Sequence, residues 1–376
     1  MTSLACKTME SLLNLSLMKH LEDNHLLSPA QHGFRAGRST TICLLEFLEV
    51  VTRLVDEGKS VTGIWTDFVK CFDKIPKSRL GLKLKSMGIT GKIAAWVMAW
   101  LMGRRQRVVI NGHSSGWEDV ISSCVQGSRL GPNLALIYLT DIDEAFTPTP
   151  APTHQTVSGA ASHQSPVAVV TGVGDQSPAV TGIHRMFADD CKKAENVSNE
   201  EERIQFQAML DRLAAWSEAW QMPFNIDKCH LLHFHRNNPK FDFTLCGQKL
   251  KAVHVEKDLG VLIEASLKPT AQVLKVAAKA KGVLTQLTRG VTYRDKITFV
   301  QLYKCYVLPT LQYTMPAWRP WTEGDIGKLE TVQQKFVSQV SGLCSRDYVE
   351  RARECGLRTV RDSMDRGDMI ALYRIV

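Results

Sequence analysis

Two apolar stretches of this chain each run straight into acid. Val61-Thr62-Gly63-Ile64-Trp65-Thr66 ends at Asp67, and Phe187-Ala188 leads into the adjacent Asp189 and Asp190. A short apolar run of this kind, rich in β-branched and aromatic residues, reads as a strand. Asp189 and Asp190 alone describe an ordinary turn, because Asp is common in turns. The second acid-ended strand changes that reading: laid side by side in one sheet, the two strand ends bring three carboxylates together. Two such charges about 4 Å apart repel by roughly 4 kcal/mol at an effective dielectric of 20. A cation removes that penalty. Asp67, Asp189 and Asp190 therefore form a candidate ligand set for two magnesium ions, which keep waters and need few protein carboxylates.

The rest of the chain supplies elements around those strands. Apolar spacing predicts helices over 7–25, 40–57, 90–103 and 199–220, and a mostly helical region over 270–345. Strands are expected at 229–234 and 260–263, with a strand pair at 108–111 and 119–124 around a turn at Gly112–Ser115. Strands and helices interleave without a regular βαβ rhythm, which predicts an α+β fold with an antiparallel sheet. Residues 147–183 differ in composition, being rich in Pro, Ser, Thr, Gly and Ala. Within them Gln164-Ser165-Pro166-Val167 is echoed by Gln176-Ser177-Pro178-Ala179. Two copies are too few for a solenoid, and the composition predicts a disordered surface insertion.

Charge and cysteine usage narrow the function classes. The net charge is +8. From Lys268 to Lys304 eight basic residues face Asp295 alone, a stretch suited to a phosphate backbone. A solvated basic face is the plainer reading. No run of about 18 apolar residues occurs, so no membrane span is expected, and the N-terminal residues do not read as a signal peptide. Ten cysteines are scattered without a C-x-x-C pair, which fits reduced thiols and an intracellular protein, nuclear or cytoplasmic. Cys229, His230, His233 and His235 raise a metal site, but strand alternation puts His230 on the opposite face. A structural strand is the expectation there.

Four blocks occur in a particular order. His32-Gly33-Phe34-Arg35-Ala36-Gly37-Arg38-Ser39-Thr40 resembles G-F-R-x-G-R-S-T. Asp67-Phe68-Val69-Lys70-Cys71-Phe72-Asp73 resembles D-x-x-K-A-F-D. Gln126-Gly127-Ser128-Arg129-Leu130-Gly131-Pro132 resembles Q-G-S-x-L-G-P, and Phe187-Ala188-Asp189-Asp190 matches F-A-D-D. Together they resemble the reverse transcriptases of non-LTR (LINE-type) retrotransposons. Asn225-Ile226-Asp227-Lys228-Cys229, Lys257-Asp258-Leu259-Gly260-Val261 and the jockey-like tail Gly356-Leu357-Arg358-Thr359-Val360 extend the likeness over nearly the whole chain outside the insertion.

The resemblance implies a right-hand polymerase of fingers, palm and helical thumb, working as an RNA-directed DNA polymerase. Its partners would be an RNA template, a DNA primer and dNTPs, and its cofactor two magnesium ions. Residues 1–60 are expected to form an N-terminal part of the fingers, and 61–265 the palm with the rest of the fingers, at 75–120, and the insertion. A thumb over 266–346 and a tail over 347–376 follow. The resemblance makes Asp67, Asp189 and Asp190 the metal ligands and Lys228 a general acid near the pyrophosphate. It makes Phe68, Phe72, Gln126, Gly127, Arg35 and Arg38 contacts to substrate or template, with Phe72 at the sugar-discriminating position. Lys275, Lys279 and Lys281 would grip the primer–template duplex. Phe72 as core, Lys228 as a solvated lysine and Arg38 as a loop anchor are the plainer alternatives. Cys71, Val125, Ala135 and Thr140 stand where the family usually has Ala, Pro, Phe and Asn. A missing ring at Ala135 would leave a cavity costing about 3–5 kcal/mol if neighbours do not refill it. An upstream finger segment and an endonuclease domain are expected to be absent. The competing readings are therefore a truncated, inactive nucleic-acid-binding relic and, less well supported by the tail, an intron-encoded maturase.

Overall fold

The acid-ended stretch Val61–Thr66, β1, is a strand whose six residues are all buried. The computed structural model describes residues 3–147, 181–343 and 347–375. β1 lies at the middle of a five-stranded sheet with β2 (Gly182–Phe187), β3 (Asp190–Asn196), β4 (His230–His233) and β5 (Lys251–Val253), in the order β5-β4-β1-β3-β2. β1 pairs antiparallel with β3 on one side, Thr66 opposite Cys191, and with β4 on the other, Trp65 opposite His230. The sheet is antiparallel as expected except at one edge, where β5 runs parallel to β4. The intervening segment folds its own small hairpin, Thr244–Leu245 with Gln248–Lys249, and so returns the chain to the end where β4 began.

Continuous burial of β1 follows from cover on both faces. On one face Ile64, Cys191 and Leu231 pack with α1 (Leu4–Asp23), α3 (Gly131–Leu139) and α4 (Glu200–Trp220), through Leu17, Leu134, Phe206 and Leu213. On the other, Val61, Trp65 and Leu232 meet α2 (Thr40–Asp56), α5 (Thr270–Gly290) and the C-terminal helices. Trp65 packs edge-on against Phe47 of α2 at 5.6 Å. Each large apolar side chain so buried contributes about 1.5–3 kcal/mol. Polar side chains start two of these helices. Ser39 accepts the Ile42 amide as the cap of α2, and Asn199 with Glu202 makes a reciprocal capping box on α4.

Several expected boundaries move. Residues 1–60 do not act as one unit: α1 joins the first core and α2 the second. The 347–376 tail is part of that second core, where Ala352, Leu357, Val360 and Met364 are buried. The hairpin in the 105–119 region turns at Asn111-Gly112, not at Gly112–Ser115, pairing Val109–Ile110 with His113–Ser114 and Arg105–Gln106 with Glu118–Asp119. Asn111 and Gly112 both have positive φ, as a two-residue hairpin turn that matches strand twist requires. Residues 120–124 instead run back along 72–76, where Cys124 donates to the Phe72 carbonyl at 2.7 Å. The 147–183 insertion lies outside the described residues except at its ends. At its far end Gly182 and Ile183 already belong to β2, because Ile183 has a core to fill. Among the described residues no helix is long and apolar enough to cross a membrane.

Candidate active site

β1 and β3 carry their acids to the same end of the sheet. Thr66 faces Cys191 in the ladder, so Asp67 and Asp190 are the next residues beyond that pair. Phe187 pairs with Asp190, which leaves Ala188 and Asp189 as the turn of the β2–β3 hairpin. Asp67 is wrapped by the Asn225–Cys229 block: its carbonyl accepts the Asn225 amide at 2.8 Å, and its own amide donates to the buried Cys229 Sγ at 3.5 Å. Lys228 Nζ stands 3.3 Å from Asp67 Oδ2. That oxygen is buried and has no hydrogen bond, so the lysine approaches as a charge rather than as an aligned donor.

The acids disturb one another. Burial, then Asp189, Asp258 and Asp67, push the Asp190 carboxyl up to about 6. Burial and Asp67 also raise Asp189 above its ordinary value. Burial leads both shifts, and the like charge of neighbouring acids adds to it. The cleft beside these residues has a volume of about 440 Å³ and is lined by Asp67, Asp190, Lys228, His230, Glu256 and Gly260, among others. Among the described residues no group of three His, Cys, Asp or Glu side chains is closed up as a metal cage. The acids share one sheet end, but their oxygens do not converge on one point.

A family model described as reverse transcriptase (RNA-dependent DNA polymerase) matches residues 1–262. The chain belongs to the reverse transcriptase family. It is 23% identical over 360 residues to the RNA-directed DNA polymerase from mobile element jockey of Drosophila funebris, covering 94% of this chain and 36% of that protein. The probable RNA-directed DNA polymerase from transposon X-element of Drosophila melanogaster is 22% identical over 350 residues, covering 89% and 34%. The likeness to jockey-type non-LTR elements read from the motifs is thus borne out, and this chain spans about a third of the length of those relatives. Apo telomerase from Candida tropicalis shares the fold, with a TM-score of 0.50 at 8% identity over 92% of this chain and 51% of the other. The architecture is that of a right-hand polymerase.

In this member of the family the other expected site residues fall into three groups. The first is not drawn into the packing of distant segments, though none of it lines the cleft beside the acids: Gln126 is exposed and donates to Asp73 Oδ1 at 2.9 Å, Gly127 is exposed with φ +74°, and Phe72 is half-buried against the first core. The second is occupied elsewhere. Phe68 is buried and stacks on Phe224 with ring centroids 4.7 Å apart, so its ring is core and not a substrate contact. Arg35 forks onto both Glu22 carboxylate oxygens at 2.9 and 2.6 Å and donates to the Ser28 carbonyl; it anchors a loop. Arg38 is partly drawn in the same way, 3.9 Å from Glu46. The third group is the basic helix face. Lys279 and Lys281 are exposed, while Lys275 turns inward to donate to the Gly260 carbonyl at 2.8 Å. Burial and the neighbouring Lys257 and Lys279 lower the Lys275 pKa.

One pairing escaped the sequence reading. Lys192 and Asp258 form a buried ion pair, each about 3% exposed, immediately behind Asp190. The available signal was a lysine within an otherwise buried strand two residues after the acids. The Cys/His stretch is a plain strand: His230 pairs with Glu256 at 2.7 Å, and His233 meets the Thr62 hydroxyl. Thr140, where the family usually has Asn, accepts the Ser28 amide at 3.1 Å. Ala135 is buried in the first core.

Proposed function

We propose that this chain is the polymerase core of a non-LTR retrotransposon, adding deoxynucleotides to a DNA primer 3′-hydroxyl on an RNA template. The observation that carries the reading is the meeting of Asp67 with Asp189 and Asp190 at one sheet end, beside an open cleft, with the Asp190 carboxyl pushed up by burial and by its neighbouring acids. The donors fit hard divalent cations: Asp67 Oδ2 is buried without a hydrogen bond, and magnesium takes a few carboxylates plus substrate phosphates, so a cage closed by protein alone is not required. Asp67, Asp189 and Asp190 would hold two magnesium ions, which activate the attacking hydroxyl and stabilise the leaving pyrophosphate when bound.

The chain's own groups then divide the work. Lys228 stands next to Asp67 and is placed to give a proton to the departing pyrophosphate. Phe72 presents a ring against the sugar, and Gln126 with Gly127 lines the pocket for the incoming nucleotide; glycine lets backbone approach closely there. The sheet is the palm, the 77–119 region the fingers, and the helices from Thr270 the thumb, whose lysines hold the duplex phosphates. The acids, Lys228 and the cleft belong together, which the relic reading does not require.

Primer extension on poly(rA)/oligo(dT) with magnesium tests this reading. The 376-residue chain should synthesise DNA, and Asp189→Asn should lose at least about 10²-fold, since the displaced charge stabilisation is worth several kcal/mol. Duplex binding without extension, equal in both proteins, would establish the nucleic-acid-binding relic instead.

A further inference from the structure

The β2–β3 turn that carries Asp189 and Asp190 is made by a residue in an unfavourable conformation. Ala188 has φ +59°, the left-handed region, which costs an ordinary L residue roughly 1–2 kcal/mol. Something must hold it there. The loop Ala30–Gly33 runs along the edge of β2, with Met186 donating to the Ala30 carbonyl at 2.9 Å and His32 donating to the Met186 carbonyl at 2.8 Å. Those two bonds seat Gln31 against the turn, where it is 3% exposed.

Both polar atoms of the Gln31 side chain are then used on Ala188. Its Oε1 accepts the Ala188 amide at 2.8 Å, and its Nε2 donates to the Ala188 carbonyl at 3.0 Å. The partners fix the orientation of the amide, because a backbone N–H can only donate and a carbonyl can only accept. Oε1 also accepts the Gly33 amide at 2.7 Å, which locks the side chain to its own loop. Gly33 fits because it has no side chain: a Cβ there would lie 2.3 Å from the Ala188 nitrogen. The clamp is thus a buried amide grasping both ends of one strained residue, across 157 positions of sequence.

We propose that Gln31 is a positioning residue for the polymerase reaction, holding Ala188 left-handed so that Asp189 and Asp190 are set toward Asp67. This rests on the functional reading above and adds a residue outside its motif blocks. Gln31 touches no reacting atom; it acts through the turn. Misplacement of reacting groups by about 1 Å can slow a reaction 10²-fold, so the effect should appear in kcat and in the magnesium requirement, with duplex affinity unchanged.

The test uses the full chain and four proteins: wild type, Gln31→Met, Ala188→Gly and the double variant. Met keeps the length and burial of Gln31 and removes its polar atoms. Gln31→Met should lower kcat for primer extension about 10- to 100-fold, raise the magnesium concentration at half-maximal rate, and leave hybrid-duplex binding in EDTA unchanged. Ala188→Gly should restore most of the rate in the double variant, because glycine adopts φ near +60° without strain. A general packing defect would not be rescued in that way. Amide hydrogen exchange should quicken over 186–191 in Gln31→Met and stay unchanged over 61–66. Wild-type kinetics in Gln31→Met, or a loss that Ala188→Gly does not relieve, would overturn the proposal. A wild-type chain that extends no primer would defeat the functional reading; unchanged exchange over 186–191 in Gln31→Met would then still defeat the clamp.

Discussion

The molecule concentrates charge in two places and handles it in opposite ways. At the sheet end Asp67, Asp189 and Asp190 crowd together in partial burial; the Asn225 amide holds the Asp67 backbone, and Gln31 holds the Ala188 turn that carries the other two. Along α5 and its neighbours the lysines are spread out, and Lys279 and Lys281 stand exposed on flexible stems. Crowded, buried charge is costly unless a partner arrives, so it specifies a site. Dispersed, solvated charge costs little and binds phosphates wherever they lie. The same net positive chain therefore holds a precise acidic end and a tolerant basic face.

If that contrast is right, substitutions at the two places differ in size and in kind. The largest effect belongs to Asp67→Asn, which should match Asp189→Asn with a loss of at least about 10²-fold in extension rate. A much smaller loss for Asp67→Asn would separate the two strand ends functionally. Cys229→Ala tests the support beneath Asp67. Because β1 is paired on both sides, that variant should lose about 1 kcal/mol of stability as a small buried truncation while keeping its magnesium dependence, as denaturant titration and kinetics would reveal.

A pH series sharpens the electrostatic side. Asp190 is raised from 3.8 to about 6 in the folded chain, so between those values the folded state keeps a proton that the unfolded state releases. Its contribution to stability therefore falls as pH rises from about 4 to 6 and stays low above that. In metal-free buffer Asp190→Asn should melt higher than wild type at pH 7, with the gap closing toward pH 4. A gap independent of pH would show that the carboxylate is not strained by its neighbours.

The smallest effects belong to the basic face. Replacing Lys279 and Lys281 with Gln should flatten the salt dependence of hybrid-duplex binding by about 2 units, since each phosphate contact contributes about 0.9. Adding Lys275→Gln should change the slope by less than one further unit, because that amine is engaged with the Gly260 carbonyl. Sequence preference should hardly move. An unchanged slope in the double variant would make this a solvated face only.

Legibility in the sequence followed the same division. β1 was readable to the residue because a strand buried on both faces is apolar throughout, and the acids were readable because they end such strands. The roles of Phe68 and Arg35 were not. The motif places both beside the site, but what decides is the partner each side chain finds, Phe224 and Glu22, from segments far away in sequence. The turn at Asn111-Gly112 is a hairpin dipeptide, yet 119–124 was expected as the second strand of that pair, and most of it instead bonds along 72–76. The lysine in a buried strand marked Lys192 as unusual, but its partner could not be read, because nothing local links it to an acid 66 positions later. Gln31 escaped for the same reason.

The account stands on the claim that the carboxylates from two strand ends serve one cation site. Manganese is a spectroscopic substitute for magnesium, and its binding can be followed by electron paramagnetic resonance on the full chain with a hybrid duplex, a chain-terminated primer and the next dNTP. Wild type should bind manganese in that complex, and Asp67→Asn and Asp189→Asn should each weaken it, although the two residues lie on different strands. Binding lost with Asp189→Asn but retained undiminished with Asp67→Asn would contradict the shared site.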